Sequence, residues 1–416
     1  MLLPVKVFLL LGAILVVEGI VSLLDGHQFL NYTRRSLRTA PADFHPPAAV
    51  MVPVKGIDSG LETTIDRLLG QDYPDYRLLF TMASERDPAH AYLAERLRNY
   101  VPSPNPGPRD AQLVIAGTSP ERGEKVNNLI AALAAVLPGT RVLVFADADA
   151  RPKIDWLRSL VAPLVDPAVT VSTGFRWYLP GRSFASRLRA AWDASIATLL
   201  GDHHGNFAWG GSMAIRAEDF RRLMIAERSW SATVSDDYGL TQAVRDAGGR
   251  IRFEPRCLTA SFDESTLVEF LRWSNRQIII TRVYAAHLWR WGLLNYILLC
   301  GTLLLGGEVI LFSDSLPARL LTAVLEALIL LLGLAKARVR AIVAREVFPE
   351  EASTLQSHGS CYWQLWPLVP WVMLINFVTA GFTRRIEWRG TRYELISPTK
   401  LRVLESNERM QADETG

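Results

Sequence analysis

The sequence predicts an α/β fold: a mostly parallel, doubly wound sheet, with apolar helices at the two ends of the chain. Three observations predict it. Between residues 48 and 262, short apolar runs alternate with amphipathic stretches, the pattern of strands joined by crossover helices. One run, Leu143-Val144-Phe145-Ala146, leads straight into Asp147-Ala148-Asp149 and stops at Pro152. Four apolar residues in a row suit a strand covered on both faces, and in open α/β sheets ligands sit just beyond the carboxyl ends of strands. The third observation is the placement of apolar residues, which make up 49% of the 416 positions and collect at the chain ends.

Composition excludes several classes. A formal charge of +3 with 21% charged residues gives no polyanion-binding signal, so no nucleic-acid partner is expected. Cys257, Cys300 and Cys361 lie far apart, without metal spacing or even pairing, which implies neither a disulfide framework nor a zinc site.

Val5 to Leu24 is apolar and about long enough to cross a bilayer, and residues 1–28 are assigned to an N-terminal transmembrane helix. Arg34, Arg35 and Arg38 follow and place the next segment in the cytoplasm by the positive-inside rule. Residues 29–47, with Pro41, Pro46 and Pro47, read as a linker. A soluble block, 48–262, begins with a strand over Ala48 to Val54 and a turn at Lys55-Gly56. It continues with a helix over Leu61 to Leu69, a strand over Tyr76 to Met82 and a helix over Tyr92 to Tyr100. A strand over Gln112 to Ala116 and a helix opening at Gly123 complete the approach to Asp147. No Gly-x-Gly-x-x-Gly follows the first strand and no Walker A loop occurs, so a bound nucleotide needs another way to neutralise its diphosphate.

Asp147 and Asp149 offer that way. Two carboxylates at i and i+2 need a partner when buried, and a hard divalent cation bridged to substrate phosphates is a natural one. The plainer reading is a solvated Asp-rich turn. Lys125 and Asn128, at the start of a helix, can add a cation and an amide beside the same ligand, or stand there as ordinary helix residues. Gly210-Gly211, before a further strand ending at Arg216, suggest backbone brought close to a ligand, or a bulge. His203 and His204 read as a loop feature. Asp236-Asp237 open a helix, where carboxylates suit the dipole; functionally, one can serve as general base toward an acceptor hydroxyl.

Residues 263–291 mix Trp, Arg and apolar positions and read as amphipathic interface helices. Residues 292–335 hold two further spans, Leu293 to Phe312 and Leu316 to Leu334, and 336–361 a basic cytoplasmic loop. Residues 362–383, broken by Pro367 and Pro370, form a last membrane segment, a span or a re-entrant piece, and 384–416 a C-terminal tail.

In order and spacing, several patches resemble the membrane-bound family 2 glycosyltransferases, and within them the ceramide glucosyltransferase group, family 21. They are Pro53-Val54-Lys55-Gly56, Asp72-Tyr73-Pro74, Asp87-Pro88-Ala89, Lys125-Val126-Asn127-Asn128-Leu129, Asp147-Ala148-Asp149, Asp236-Asp237-Tyr238, Arg272-Trp273 and Ile386-Glu387-Trp388-Arg389. The resemblance spans residues 48 to 396. It implies a GT-A fold, a UDP-sugar donor and a Mg²⁺ or Mn²⁺ ion held by Asp149 and Asp147. It also implies Asp237 as base with Asp236 beside it, and Lys55, Asp87, Lys125, Asn128, Asp147 and Arg272 on the donor side. Gly210, Gly211, Trp273 and Glu269 fall on the acceptor side. Two positions depart from the family pattern: Glu269 stands where Gln or Arg begins the motif ending in Arg272-Trp273, and Asp236-Asp237 stands for Glu-Asp.

The expected activity is inverting transfer of a hexose, UDP-glucose being the expected donor, to the hydroxyl of a membrane lipid. The expected setting is a multi-pass protein of a bacterial inner membrane with its catalytic domain cytoplasmic. A hopanoid or diacylglycerol acceptor fits equally, and a processive polysaccharide synthase of the cellulose or hyaluronan type is the alternative.

Overall fold

The computed structural model describes residues 2–58, 60–101 and 107–406. In chain order, α1 (Leu2–Arg38) precedes β1 (Ala48–Pro53), α2 (Leu61–Leu69), β2 (Tyr76–Met82), α3 (Pro88–Arg98) and β3 (Asp110–Ile115). Next come α4 (Glu124–Ala134), β4 (Val142–Ala146), α5 (Trp156–Val161), β5 (Val169–Tyr178), α6 (Phe184–Ala197) and β6 (Ser212–Arg216). Then follow α7 (Ala217–Arg222), α8 (Asp236–Asp246), β7 (Arg250–Ser261), α9 (Leu267–Tyr284), α10 (Ala286–Phe312) and α11 (Leu316–Val347). The chain closes with α12 (Ala352–His358), α13 (Cys361–Gln364), α14 (Val369–Phe382), β8 (Arg385–Trp388), β9 (Thr391–Ser397) and β10 (Lys400–Ser406). These elements divide into two compact units, a sheet unit (35–176, 202–261 and from 384) and a helical unit (to 34, 177–201 and 262–383).

The sheet unit is built on a seven-stranded sheet ordered β3-β2-β1-β4-β6-β5-β7. β1, β2, β3 and β4 pair in parallel, whereas β6 runs antiparallel to both β4 and β5. This is the expected GT-A arrangement. Alternation sorts even the continuous apolar runs onto two faces. Val50, Val52, Leu78, Phe80, Val142 and Val144 pack with Leu61, Ile65 and Leu68 of α2 and Trp156 and Leu160 of α5. Met51, Leu79, Leu143 and Phe145 pack with Val126 and Leu129 of α4 and Leu240 and Val244 of α8. Both faces are covered, which is why these strands carry so few polar residues.

Several boundaries differ from the sequence reading. The helix expected from Tyr92 begins at Pro88, because Asp87 accepts from Ala89 N at 2.8 Å and a proline suits the first helical position. Gly210 and Gly211 do precede a strand, as expected: residues 206–211 are loop and β6 starts at Ser212. Helix α6 and strand β7 were not expected from the sequence. Expected as a tail, residues 385–406 instead form a three-stranded antiparallel sheet in the order β10-β9-β8; residues 407–416 lie outside the described residues. A two-residue hairpin makes this sheet possible: Arg389 (φ 48°) and Gly390 (φ 78°) both take positive φ between β8 and β9, the requirement of a tight type I′ turn.

Among the described residues, three helices of the helical unit are long and apolar enough to cross a membrane: α1, α10 and α11. The residues expected as a linker after position 28 continue α1 to Arg38, since no proline interrupts them before Pro41. Ala285 (φ −140°, ψ 61°) breaks the chain between α9 and α10, so residues 286–291 belong to the membrane-length helix rather than to interface helices. The expected basic loop from residue 336 is helix as far as Val347, because good helix formers run unbroken to Pro349. α14, at 14 residues, is shorter than these three and falls short of the ~20 residues a span needs.

Helices α1 and α11 run parallel along a seam of period seven. A side chain at Gly12 would meet Leu325, one at Gly19 would meet Leu332, and Gly26 faces Lys336 and Val339. Glycines on one helix, repeated every seven positions, face Leu325, Leu332 and Val339 on the other, also seven apart, and allow close packing without a hydrophobic drive. At one end of the seam Arg34 pairs with Glu346, Nη2 to Oε1 at 2.6 Å. Elsewhere in this unit, buried Asn376 joins three helices. It accepts from Trp192 Nε1 at 3.2 Å and donates to Ser274 Oγ at 3.1 Å and Asn275 Oδ1 at 2.7 Å.

Candidate active site

The site grows from the carboxyl end of β4. Its five residues are buried and end at Asp147. Because β6 pairs antiparallel with β4, with Ala146 opposite Ser212, Gly210 and Gly211 lie alongside Asp147, whose N donates to Gly211 O at 3.3 Å. Neither position has room for a side chain. A Cβ on Gly211 would stand 2.6 Å from Asp147 Oδ2 and overlap the Trp209 ring, and one on Gly210 would collide with the Asp236 carboxylate. Gly210→Ala is therefore expected to cost about 1–3 kcal/mol of stability and to impair transfer, read as a lowered unfolding midpoint and a lowered turnover.

Helix α8 brings the second acidic pair. Ser235 caps it by accepting from Tyr238 N at 3.1 Å. Trp230 Nε1 donates to Asp236 O at 2.9 Å, and Ala208 N donates to Thr241 Oγ1 at 3.0 Å, fixing the helix start against the loop that carries the glycines. The Asp236 side chain is 3% exposed. Asp237 is half-buried and is oriented by three donors: Ser235 Oγ and Tyr238 N at Oδ1, and Gly210 N at Oδ2, 3.4 Å away.

Lys125 joins the two pairs. Gly123 N donates to Thr233 O at 2.9 Å and sets the start of α4 beside the segment leading to α8. From there Lys125 Nζ lies 2.8 Å from Asp147 Oδ1 and 3.1 Å from Asp236 Oδ2. The ammonium is held above its ordinary pKa: burial opposes its charge, but Asp147, Asp236 and Asp237 together outweigh burial. Burial pushes Asp236 up to about 6 despite Lys125. Asp147 is also penalised by burial, yet Lys125 and Arg176 hold it below the usual carboxylate range.

Other expected donor residues have structural partners of their own. Lys55 pairs with Glu124. Asp87 accepts from Gly56 N at 2.9 Å while capping α3, so it ties the turn after β1 to the next helix. Asn128 is 2% exposed within α4. In the helical unit, Arg272 is exposed on α9. Trp273 packs in an aromatic group with Tyr178 at 5.3 Å and Trp192 at 5.2 Å, and Arg189 lies 5.0 Å over its ring. Glu269, expected on the acceptor side, has its carboxylate committed to a capping box with Thr266, a local role for which Glu is well suited. His203 and His204 are exposed loop residues, as expected.

Two arginines at the site were not singled out from the sequence. Arg176, at the end of β5, donates through Nη2 to Asp147 Oδ2 at 3.0 Å and to Asp149 Oδ1 at 2.7 Å, and lies 5.3 Å over the Trp209 ring. Arg389, at the hairpin tip, donates to Lys55 O at 2.6 Å and pairs with Asp58, and its charge is felt by Asp147. The sequence signal for Arg176 is an arginine set among aromatics at a strand end (Phe175-Arg176-Trp177-Tyr178). Arg389 lies in a quoted motif that carried no assigned role.

Among the described residues, no three His, Cys, Asp or Glu side chains gather as a metal centre. Asp147 and Asp149 suit a different mode, in which one or two carboxylates hold Mg²⁺ or Mn²⁺ and substrate phosphates complete the shell. Both reach the same cationic atom, Nη2 of Arg176, so their oxygens converge as that mode requires.

A mostly parallel sheet, with one acidic pair at a strand end and a second at a facing helix start, is the arrangement expected of a glycosyltransferase. The chain belongs to glycosyl transferase family 21, whose model matches residues 13–401. Its structure is similar to a mannosyltransferase from Pyrobaculum calidifontis in complex with GDP-Man and Mn²⁺, at 18% identity and TM-score 0.46, over 90% of this chain and 99% of that one. It is also similar to glucosyl-3-phosphoglycerate synthase from Mycobacterium tuberculosis in complex with Mn²⁺, UDP-Glc and phosphoglyceric acid, at 16% identity and TM-score 0.37, over 57% of this chain and 79% of that one.

Proposed function

We propose that this glycosyltransferase is an inverting enzyme that moves a hexose, glucose in the first instance, from a UDP-sugar to the hydroxyl of a membrane lipid of the ceramide type. The observation that carries the reading is the position of Lys125 between Asp147 and Asp236. Through it, an acidic pair suited to a leaving diphosphate and an acidic pair suited to an attacking hydroxyl share one site.

On the donor side, Lys125, Arg176 and Arg389 supply positive charge for the diphosphate, and guanidinium groups match phosphate oxygens two at a time. Asp147 and Asp149 would hold a divalent cation, which when bound would neutralise charge on the departing diphosphate. On the nucleophile side, Asp237 is the accessible carboxylate, and its three donors hold it in one orientation. It takes the acceptor's hydroxyl proton as the hydroxyl oxygen forms its bond to the anomeric carbon and the bond to the UDP oxygen breaks. We assign Arg272 to the diphosphate and Trp273 to the acceptor side on the family pattern. The lipid acceptor is supported by the three membrane-length helices. The shared basic end of the parallel pair α1 and α11 supports a cytoplasmic catalytic unit.

The test is detergent-purified enzyme incubated with radiolabelled UDP-sugars and an extracted bacterial lipid mixture, with and without Mn²⁺. Label that moves with lipid on a thin-layer plate is the expected result, strongest with UDP-glucose. Label held in lipid-free, high-molecular-weight material would show a polymer synthase instead.

A further inference from the structure

We infer that Arg176 is the resident cation of the Asp147–Asp149 pair, holding it closed to a metal ion until the donor's diphosphate draws the guanidinium away. The inference rests on the proposed donor role of this pair and concerns how the pair is regulated.

The geometry carries it. One nitrogen, Nη2, serves both carboxylates, at 3.0 Å to Asp147 Oδ2 and 2.7 Å to Asp149 Oδ1. A second cation cannot take these two oxygens while the guanidinium is there. The site is sheltered, with side-chain exposures of 15% for Arg176, 20% for Asp147 and 31% for Asp149, so the pairing is weakly screened. The remaining oxygen of Asp147 is held by Lys125. Three of the pair's four carboxylate oxygens thus already face protein cations, and a metal ion has to compete with them.

A diphosphate changes the balance. A guanidinium forms the same two-pronged contact with phosphate as with carboxylate. The Trp209 ring beneath Arg176, 5.3 Å away, gives the group a surface on which to shift without losing its apolar contact. Once Arg176 turns to the diphosphate, both carboxylates are open toward the same ligand. Metal and donor therefore bind cooperatively, and by linkage each strengthens the other equally.

The experiment titrates Mn²⁺ into the full-length protein in detergent, following the free-ion electron paramagnetic resonance signal, with and without saturating UDP. Wild type is expected to bind Mn²⁺ weakly alone and more tightly with UDP. Arg176→Met, which keeps bulk over Trp209 without charge, is expected to tighten UDP-free Mn²⁺ binding about 5- to 150-fold, the usual range of such couplings. It should also shrink the further gain from UDP. Arg176→Lys, which keeps one charge but not the fork, should fall between and serves if the Met variant does not fold. Unchanged UDP-free Mn²⁺ affinity in a folded variant, with UDP-dependent binding intact in wild type, would overturn this inference alone. Failure of wild type to bind Mn²⁺ even with saturating UDP would remove the donor-site reading, and the inference with it.

Discussion

Asp237→Asn is expected to lower sugar transfer by about a hundred- to ten-thousandfold, the range that a positioned general base supplies, while leaving UDP affinity unchanged. The substitution keeps size and removes basicity. The oxygen that accepts from Ser235 Oγ and Tyr238 N can remain an acceptor in the amide, so the start of α8 should hold its shape. Initial rates on the lipid acceptor, set beside UDP binding by calorimetry, separate the outcomes. Lost UDP affinity with surviving turnover would contradict the assignment of the base.

Lys125→Met should have the largest effect on the protein itself. It leaves Asp147 and Asp236 facing a site from which their shared cation has gone. Removing one partner of a buried ion pair destabilises by about 3–5 kcal/mol, since the other charge stays buried and uncompensated. The pH dependence gives the loss a signature. Burial already raises Asp236 to about 6, against the pull of Lys125. A carboxyl raised in the folded state stabilises the fold at low pH and gives up that contribution as pH rises through its folded pKa. Without Lys125 the folded pKa of Asp236 climbs further, so the penalty of the variant is greatest at about pH 8 and smaller at about pH 5, where Asp236 holds a proton. Asp147 keeps part of the penalty at the lower pH, because Lys125 and Arg176 normally hold it below the ordinary range. Unfolding midpoints of both proteins at the two pH values give the check; a deficit that does not change with pH would rule out Asp236 as its source.

Much of this site was legible because its chemistry sits at strand and helix ends. The apolar run through β4 marked itself as a strand buried on both faces, and Asp147 and Asp149 followed at its carboxyl end, where ligands collect. Asp236 and Asp237 were legible as a helix start. What local pattern did not contain was the meeting of these pieces. Lys125 was visible as a lysine near a helix N-terminus, but its place between the two acidic pairs depends on the antiparallel insertion of β6 and on the docking of α4 beside residue 233. β7 alternates charged and apolar residues as a strand does, but Pro255 in the middle of the run obscured it. A proline argues against a central strand, yet β7 lies at the edge of the sheet, where proline is tolerated. Arg389 was hidden by distance, since it reaches Lys55 across 334 positions.

The glycine and leucine seam between α1 and α11 works as a clasp whose two halves are made at opposite ends of synthesis. Arg34 and Glu346, which pair at its end, are separated by 312 positions. α1 is made long before α11, and in a bilayer its glycine-lined face is no liability in the interval, because lipid tails satisfy it as well as leucine does. Fastening the clasp closes a very long loop, but the entropy of closure grows only with the logarithm of loop length. The strength of the fastening is therefore almost indifferent to the size of the insert it encloses. A helix pair of this form tolerates an insert that gains or loses whole elements, while the three glycines and the residues facing them stay under the same packing constraint.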